Sequence, residues 1–246
     1  MKVLVISDLH IDTQDNIGTF HWDQHEMIGH IEKMREKYGL DKVIFNGDTF
    51  ELLKYSQEEI NSANKRLIEY FDNDDFVFIN GNHDMFYEEG LEFYQITNSS
   101  GQIIHIEHGH NADWYNGSRL GRRLSKIGFS LLKRFSGAAV LRRTYFRIVS
   151  FKESLNRVPK KYNTLKYLTY SMKLLKDYDV VVLGHTHKLE AHHTYYLHKK
   201  KRYLNCGSCS LGRFQGIVID TETLKYDFIR ETRDTLEKLY AVPMVS

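Results

Sequence analysis

Five short runs rich in Val, Ile and Phe each stop on a polar residue, and this repetition constrains the chain more than any other feature. Residues 2–7 (KVLVIS) stop at Asp8, 42–46 (KVIFN) at Gly47 and Asp48, and 76–80 (FVFIN) at Gly81 and Asn82. Residues 103–107 (IIHIE) stop at His108, and 179–183 (DVVVL) at Gly184 and His185. Runs of this length and composition read as buried strands. Apolar residues at three and four spacing predict helices over 22–38, 57–71 and 165–176. Strand and helix therefore alternate, which predicts an α/β fold whose loops gather their polar groups at the C-terminal edge of a sheet. After Thr186 the pattern changes to strand runs at 190–196, 202–205, 216–219 and 226–229, separated by short turns, which predicts antiparallel hairpins.

With 246 residues, 41% of them hydrophobic, the chain can build one sizeable core. No linker or repeat divides it, so a single domain over 1–246 is expected. No apolar run approaches the roughly 18 residues that span a bilayer. The first residues lead straight into a strand without the regions of a signal peptide, so a cytoplasmic location is expected. A net charge of +2 hides an asymmetry. Residues 118–161 hold thirteen Lys or Arg against one acid, Glu153, a local charge of +12, while the rest carries 21 bases and 31 acids. Leu120, Leu124, Ile127 and Leu131 recur there at helical spacing, with Arg119, Arg122, Arg123 and Lys126 between them. The segment reads as a basic amphipathic insertion suited to a phosphate-bearing partner.

Collected in order, the groups at the strand ends are Asp8, His10, Asp48, Asn82, His83, Asp84, His108, His185 and His187. Carboxylates and imidazoles with one amide oxygen suit Mn, Fe or Zn; calcium would take oxygen alone, and structural zinc favours thiolates. Two ions are the expected number, because Asp48 can bridge with both carboxylate oxygens. Glu51 reads equally as a neighbour of that site or as a helix N-terminal acid. His110, two residues beyond His108, is a candidate for substrate contact. His192, His193 and His198 lie outside any motif. Cys206 and Cys209 are spaced for a redox pair or half a zinc site, but no second cysteine pair exists, so ordinary thiols are expected.

The motifs Asp8-Leu9-His10, Gly47-Asp48-Thr49-Phe50-Glu51, Gly81-Asn82-His83-Asp84, His108-Gly109 and Gly184-His185-Thr186-His187 stand in the order of the calcineurin-like metallophosphoesterase family, which this chain resembles over most of its length. The resemblance implies a four-layer α/β/β/α sandwich, here with a helical insertion, and hydrolysis of a phosphodiester or pyrophosphate bond. It implies one ion held by Asp8, His10, Asp48 and His187 and another by Asp48, Asn82, His108 and His185, Mn being the expected metal. A water activated by the ions would attack phosphorus. His83 would face the phosphoryl group and protonate the leaving oxygen, with Asp84 orienting its ring. Asn205, Gly207 and Ser208 resemble the family's Asn-x-Gly-Ser loop near the metals.

Within the family, Gly47-Asp48-Thr49-Phe50-Glu51 and the basic insertion resemble the enzymes that cleave UDP-2,3-diacylglucosamine. That likeness implies an amphiphilic, nucleotide-linked substrate met by Asn82, His110, Arg119, Arg122 and Arg123. It also implies peripheral contact with the inner membrane face through the insertion. Two other readings use the same residues: a nucleotide or nucleic-acid phosphodiesterase holding phosphates on the +12 segment, and a scaffold that keeps the fold without catalysis.

Overall fold

The structure, a computed structural model, describes residues 1–15, 17–85, 87–112 and 161–232, with 143, 144, 147 and 148. The basic insertion expected at 118–161, including Arg119, Arg122 and Arg123, lies almost wholly outside the described residues.

The chain order is β1 (Lys2–Ile6), α1 (Gln24–Tyr38), β2 (Lys42–Asn46), α2 (Gln57–Ala63), α3 (Lys65–Phe71), β3 (Phe76–Ile79), β4 (Tyr94–Thr97) and β5 (Ile103–Ile106). A 3-10 turn (His110–Ala112) follows, then α4 (Lys161–Leu174), β6 (Val180–Leu183), β7 (Leu189–Tyr196), β8 (Lys199–Cys206), β9 (Arg213–Asp220) and β10 (Tyr226–Thr232). Two five-stranded sheets result, in the orders β10-β9-β1-β2-β3 and β4-β5-β6-β8-β7. In the first the parallel run β1-β2-β3 reaches one edge and antiparallel β9 and β10 lie on its other side; in the second the parallel centre β5-β6-β8 is flanked by antiparallel β4 and β7.

Strand alternation sorts the side chains into layers. Val3 and Val5 of β1 enter a core shared with Ile104, Ile106, Val180 and Val182 of the second sheet. Leu4 and Ile6 point the other way, into a core with Met27, Ile31 and Met34 of α1. On the far side of the second sheet, Val181, Leu183 and Tyr203 pack with Leu168 and Tyr170 of α4. The result is the expected α/β/β/α sandwich. Among the described residues, no helix is long and apolar enough to cross a membrane.

Local chemistry sets the helix ends. Asp23 caps α1 in a reciprocal capping box with Glu26, and Gly39 closes it at φ 62 in the left-handed region. The single helix expected over 57–71 is two. Asn64 leaves helical geometry at φ −124 and donates its amide to the carbonyls of Asp12 (2.7 Å) and Ile60 (3.0 Å), tying the break to the loop after β1. Strand β4 carries no alternating apolar pattern, because it is an edge strand with only Ile96 buried.

Candidate metal centre

The loops leaving β1, β2, β3, β5 and β6 meet at one edge of the sandwich. Backbone bonds lace them together: Asp8 N–H donates to Gly47 O (3.0 Å), His10 N–H to Asp48 O (2.9 Å), and Gly184 N–H to His108 O (3.1 Å). Asp8, His10, Asp48, His185 and His187 all adopt φ between 51 and 64. Side chains there cost of order 1–3 kcal/mol each, a cost found where surrounding structure holds a site in place. Gly81 meets the same crowding from the other side, since a Cβ there would collide with the backbone nitrogen and carboxylate of Asp48.

Three groups of ligand-type atoms lie within 4.8 Å of one another: Asp8, His10 and His187; His10, Asp48 and His83; Asp48, His108 and His185. His187 Nε2 is 3.0 Å from Asp8 Oδ1, and His108 Nε2 is 3.3 Å from Asp48 Oδ2. His108 Nδ1 lies 2.8 Å from Asn46 O, which assigns it the ring proton. Nε2 then turns its lone pair toward Asp48 and toward His185 Nδ1, 3.3 Å away. Electron pairs so opposed need a proton or a cation between them. Asn82 Oδ1 is also buried with no hydrogen-bond partner among the described residues. The donor set therefore fits divalent cations.

Charge follows the same geometry. Burial raises the Asp8 and Asp48 carboxyls, but the imidazoles outweigh it and hold both well below the usual carboxylate range: His187 and His108 act on Asp8, His108 and His83 on Asp48. Burial opposes protonation of His108, yet Asp48 and Asp8 push it up to about 9. His185, buried beside that ring, is pushed down to about 3.

His83 reaches the site from the loop after β3, its backbone N–H donating to Asp48 Oδ1 (2.8 Å) and its Nε2 lying 3.9 Å from Asp48 Oδ2. The carboxylate that bonds its ring is Glu51, at 2.7 Å from Nδ1. Asp84, expected in that role, instead accepts backbone N–H groups from Gly81, Asp48, Thr49 and Phe50 at 2.6 to 3.2 Å. With both oxygens engaged by the backbone, Asp84 shapes the loops under Asp48. Burial opposes protonation of His83, but Glu51 and Asp48 push it up to about 9.

Other placements complete the picture. Glu51 also lies 3.4 Å from His10 Nδ1 and 3.3 Å from Lys54 Nζ, a buried cation that sequence reasoning missed because an i,i+3 Glu–Lys pair ordinarily marks a solvated surface. The His110 ring stands 5.6 Å from that of His108, on the 3-10 turn. Ser208 Oγ donates to Asp8 O (3.2 Å) and Asn205 Nδ2 to Gly184 O (2.8 Å), bringing their loop under the site. Cys206 and Cys209 are free, buried thiols. Tyr167 of α4, also unforeseen, sets its ring 5.7 Å from that of His185.

A two-sheet sandwich with an Asp/His cluster at its strand ends is the frame of a metal-dependent phosphoester hydrolase. The chain belongs to the calcineurin-like phosphoesterase family, whose sequence model matches residues 1–189. It is also similar to several solved structures. A dimetal phosphatase from Danio rerio is 8% identical, over 94% of this chain and 98% of that one, with a TM-score of 0.47. An archaeal phosphodiesterase is 16% identical, over 94% and 100%, with 0.45. A phosphoesterase from E. coli is 14% identical, over 93% and 98%, with 0.43. No curated protein matches the chain.

Proposed function

We propose that this enzyme hydrolyses a phosphodiester or pyrophosphate bond with the help of two divalent cations. Asp8, His10, Asp48 and His187 would hold one; Asp48, Asn82, His108 and His185 would hold the other. The observation that carries the reading is the position of Asp48, whose carboxylate belongs to the group with His10 and to the group with His108 and His185. Imidazole, carboxylate and amide oxygen without thiolate favour Mn, with Fe or Zn as alternatives. When bound, the cations draw charge from phosphoryl oxygens and lower the pKa of water toward neutrality.

The chain's own groups do the rest. His83 offers an Nε2 proton at the mouth of the site, and Glu51 holds its ring from the opposite nitrogen. That proton is placed to meet a leaving oxygen, and Glu51 offsets the positive charge of the ring before transfer. Asp48, which with Glu51 keeps His83 protonated, would share its charge with a bound cation and so hold the ring less strongly. His108 keeps its Nδ1 proton on Asn46 O, which fixes the ring so that Nε2 always faces Asp48.

The substrate we propose is amphiphilic and nucleotide-linked, such as UDP-2,3-diacylglucosamine. The form Gly47-Asp48-Thr49-Phe50-Glu51 supports it, as does the pairing of arginines with leucines in residues 118–161. Guanidinium groups match phosphate oxygens in pairs, and an apolar helix face accepts acyl chains or a membrane surface. The test compares Mn-loaded enzyme on the acylated sugar nucleotide, on the same molecule without acyl chains, and on single-stranded DNA. The acylated compound should have the highest kcat/KM. Preference for DNA would assign the basic segment to nucleic acid, and equal rates on both sugar nucleotides would remove the lipid from the reading.

A further inference from the structure

Helices α2 and α3, strand β3, residues 87–91 and Tyr94 of β4 wall a groove of about 1060 Å³, and none of the candidate metal ligands lines it. Much of the lining is aromatic. Phe50, Phe78 and Tyr87 form one cluster, their ring centroids 4.9 to 6.0 Å apart. Strand β3 brings in an uncharged apolar run, and because it is the outer strand of its sheet, Val77 and Phe78 are only half-buried. Leu91, also in the lining, and Phe93, two residues on, are each 45% exposed. Apolar surface left open beside a concavity is the mark of a binding surface.

The charge around the groove has one sign. Glu58, Glu69, Asp72, Asp74, Glu88 and Glu89 line it, and among the described residues no Lys or Arg does. Glu69 lies 3.8 Å from Lys65; the other five carboxylates form no ion pair among the described residues. They do not gather as metal ligands, since every group of three ligand atoms close enough to share an ion lies at the metal centre. Carboxylates spread along an apolar wall suit a partner whose positive charges are spread as well.

One wall residue already receives such a charge. The Arg35 guanidinium lies 4.9 Å from the centre of the Phe76 ring and 3.3 Å from Asp75 Oδ2. A guanidinium over a ring with a carboxylate beside it combines cation–π and ionic attraction. The groove repeats both elements, ring and acid, along its length.

We infer that the groove receives a basic peptide segment of a partner protein, one that carries arginine and apolar side chains together. The guanidinium groups meet the acids and rings, and the apolar side chains cover Phe78, Tyr87 and Leu91. The same acids repel nucleic acid, anionic lipid and acidic peptides. The inference is independent of which phosphoester the enzyme cleaves.

The probe that tests it is a fluorescein-labelled peptide of alternating Arg and Leu, followed by fluorescence anisotropy on the full chain. It should bind the wild-type chain with a micromolar Kd. Asp72→Lys combined with Glu88→Lys should weaken binding by about tenfold or more, because each change sets like charges together. Glu36→Lys combined with Asp227→Lys makes the same change of net charge on exposed acids outside the groove and should alter Kd by no more than about twofold. Circular dichroism should be unchanged in both pairs, since all four side chains are exposed. A peptide of alternating Arg and Ser should bind about tenfold more weakly than the Arg and Leu peptide, for want of apolar burial. Equal weakening by the two pairs would mean diffuse attraction to an acidic body, and equal affinity for the two peptides would mean that the aromatic lining takes no part. Either result overturns the inference, as does failure of the Arg and Leu peptide to bind the wild-type chain. Binding that appears only after Arg119→Glu, Arg122→Glu and Arg123→Glu would give the groove to the chain's own basic segment, and that also overturns it.

Discussion

His83 Nδ1 lies 2.7 Å from Glu51 Oε1, so the ring that faces the metal centre is held by an acid from the Gly47-Asp48-Thr49-Phe50-Glu51 motif. The bond fixes the tautomer and aims Nε2 at the site. His83→Ala should lower kcat by about a hundredfold or more, the usual contribution of a positioned proton donor. Glu51→Gln should lower kcat less, because the amide can still bond the ring but carries no charge. Metal content measured on the same samples should remain near wild type for His83→Ala; loss of metal would make His83 a ligand.

How much of this was legible in the sequence depends on how local the signal is. The five strands announce themselves because each is an apolar run, buried on both faces in all but the outer strand β3, and the ligands follow them directly. Asp84 illustrates the opposite case. Its place beside His83 in the sequence suggests a pair, yet the turn at Gly81 sends its carboxylate to the backbone of Asp48, Thr49 and Phe50. Glu51 could be placed near the site or at a helix start, and only the meeting of the β2 and β3 loops decides between them. Lys54 is buried because the loop after β1 brings the carbonyl of Ile17 to 3.5 Å from its Nζ, opposite Glu51, a long-range contact that no periodicity reports. The break at Asn64 depends likewise on a bond to Asp12, 52 residues away.

Lys54→Met should destabilise the protein, because it takes an enclosed cation from Glu51, but by less than the cost of breaking an isolated buried pair, about 3–5 kcal/mol, since His83 and His10 still face that carboxylate. The pair is fully enclosed, with 2% of the Lys54 side chain and 1% of Glu51 exposed, so solvent offers Glu51 little compensation. Urea unfolding of the metal-free protein measures the change. Lys54→Arg, which keeps the charge, should recover part of it.

Asp84→Asn should destabilise as well, for a different reason. The carboxylate accepts four backbone N–H groups, and an amide presents one oxygen with an NH2 group turned toward donors. Leaving buried N–H groups unpaired costs about 1–3 kcal/mol each. The midpoint of thermal unfolding should fall, and kcat with it, since the displaced loops carry Asp48 and His83. A variant of unchanged stability would show that Asp84 is not what holds these loops.

The thiols should be chemically silent in the folded state. Burial pushes Cys206 up to about 12 and raises Cys209 further, so neither forms a thiolate near neutral pH. An aromatic disulfide reagent should titrate none in native protein and both after unfolding. Phosphoesterase activity should survive iodoacetamide. Rapid native modification with loss of metal would place a thiol at the metal centre.

Asp48→Ala tests the centre as a whole. Asp48 is buried and shared between neighbouring groups of ligand atoms, so its removal takes a donor from each side at once. Loss of any ligand unique to one group, such as His187, should lower affinity for one ion and leave the other held. With Asp48→Ala, both ions should be lost under dialysis and activity should not return with added Mn. Stability gives an independent reading. A ligand at 100 times its Kd stabilises a fold by about 2.7 kcal/mol, so chelation should lower the melting temperature of wild-type protein by several degrees. The same chelator should scarcely move Asp48→Ala, which has no ions to lose. A chelation shift as large as wild type, or turnover restored by added metal, would mean that Asp48 does not join the two halves of the site.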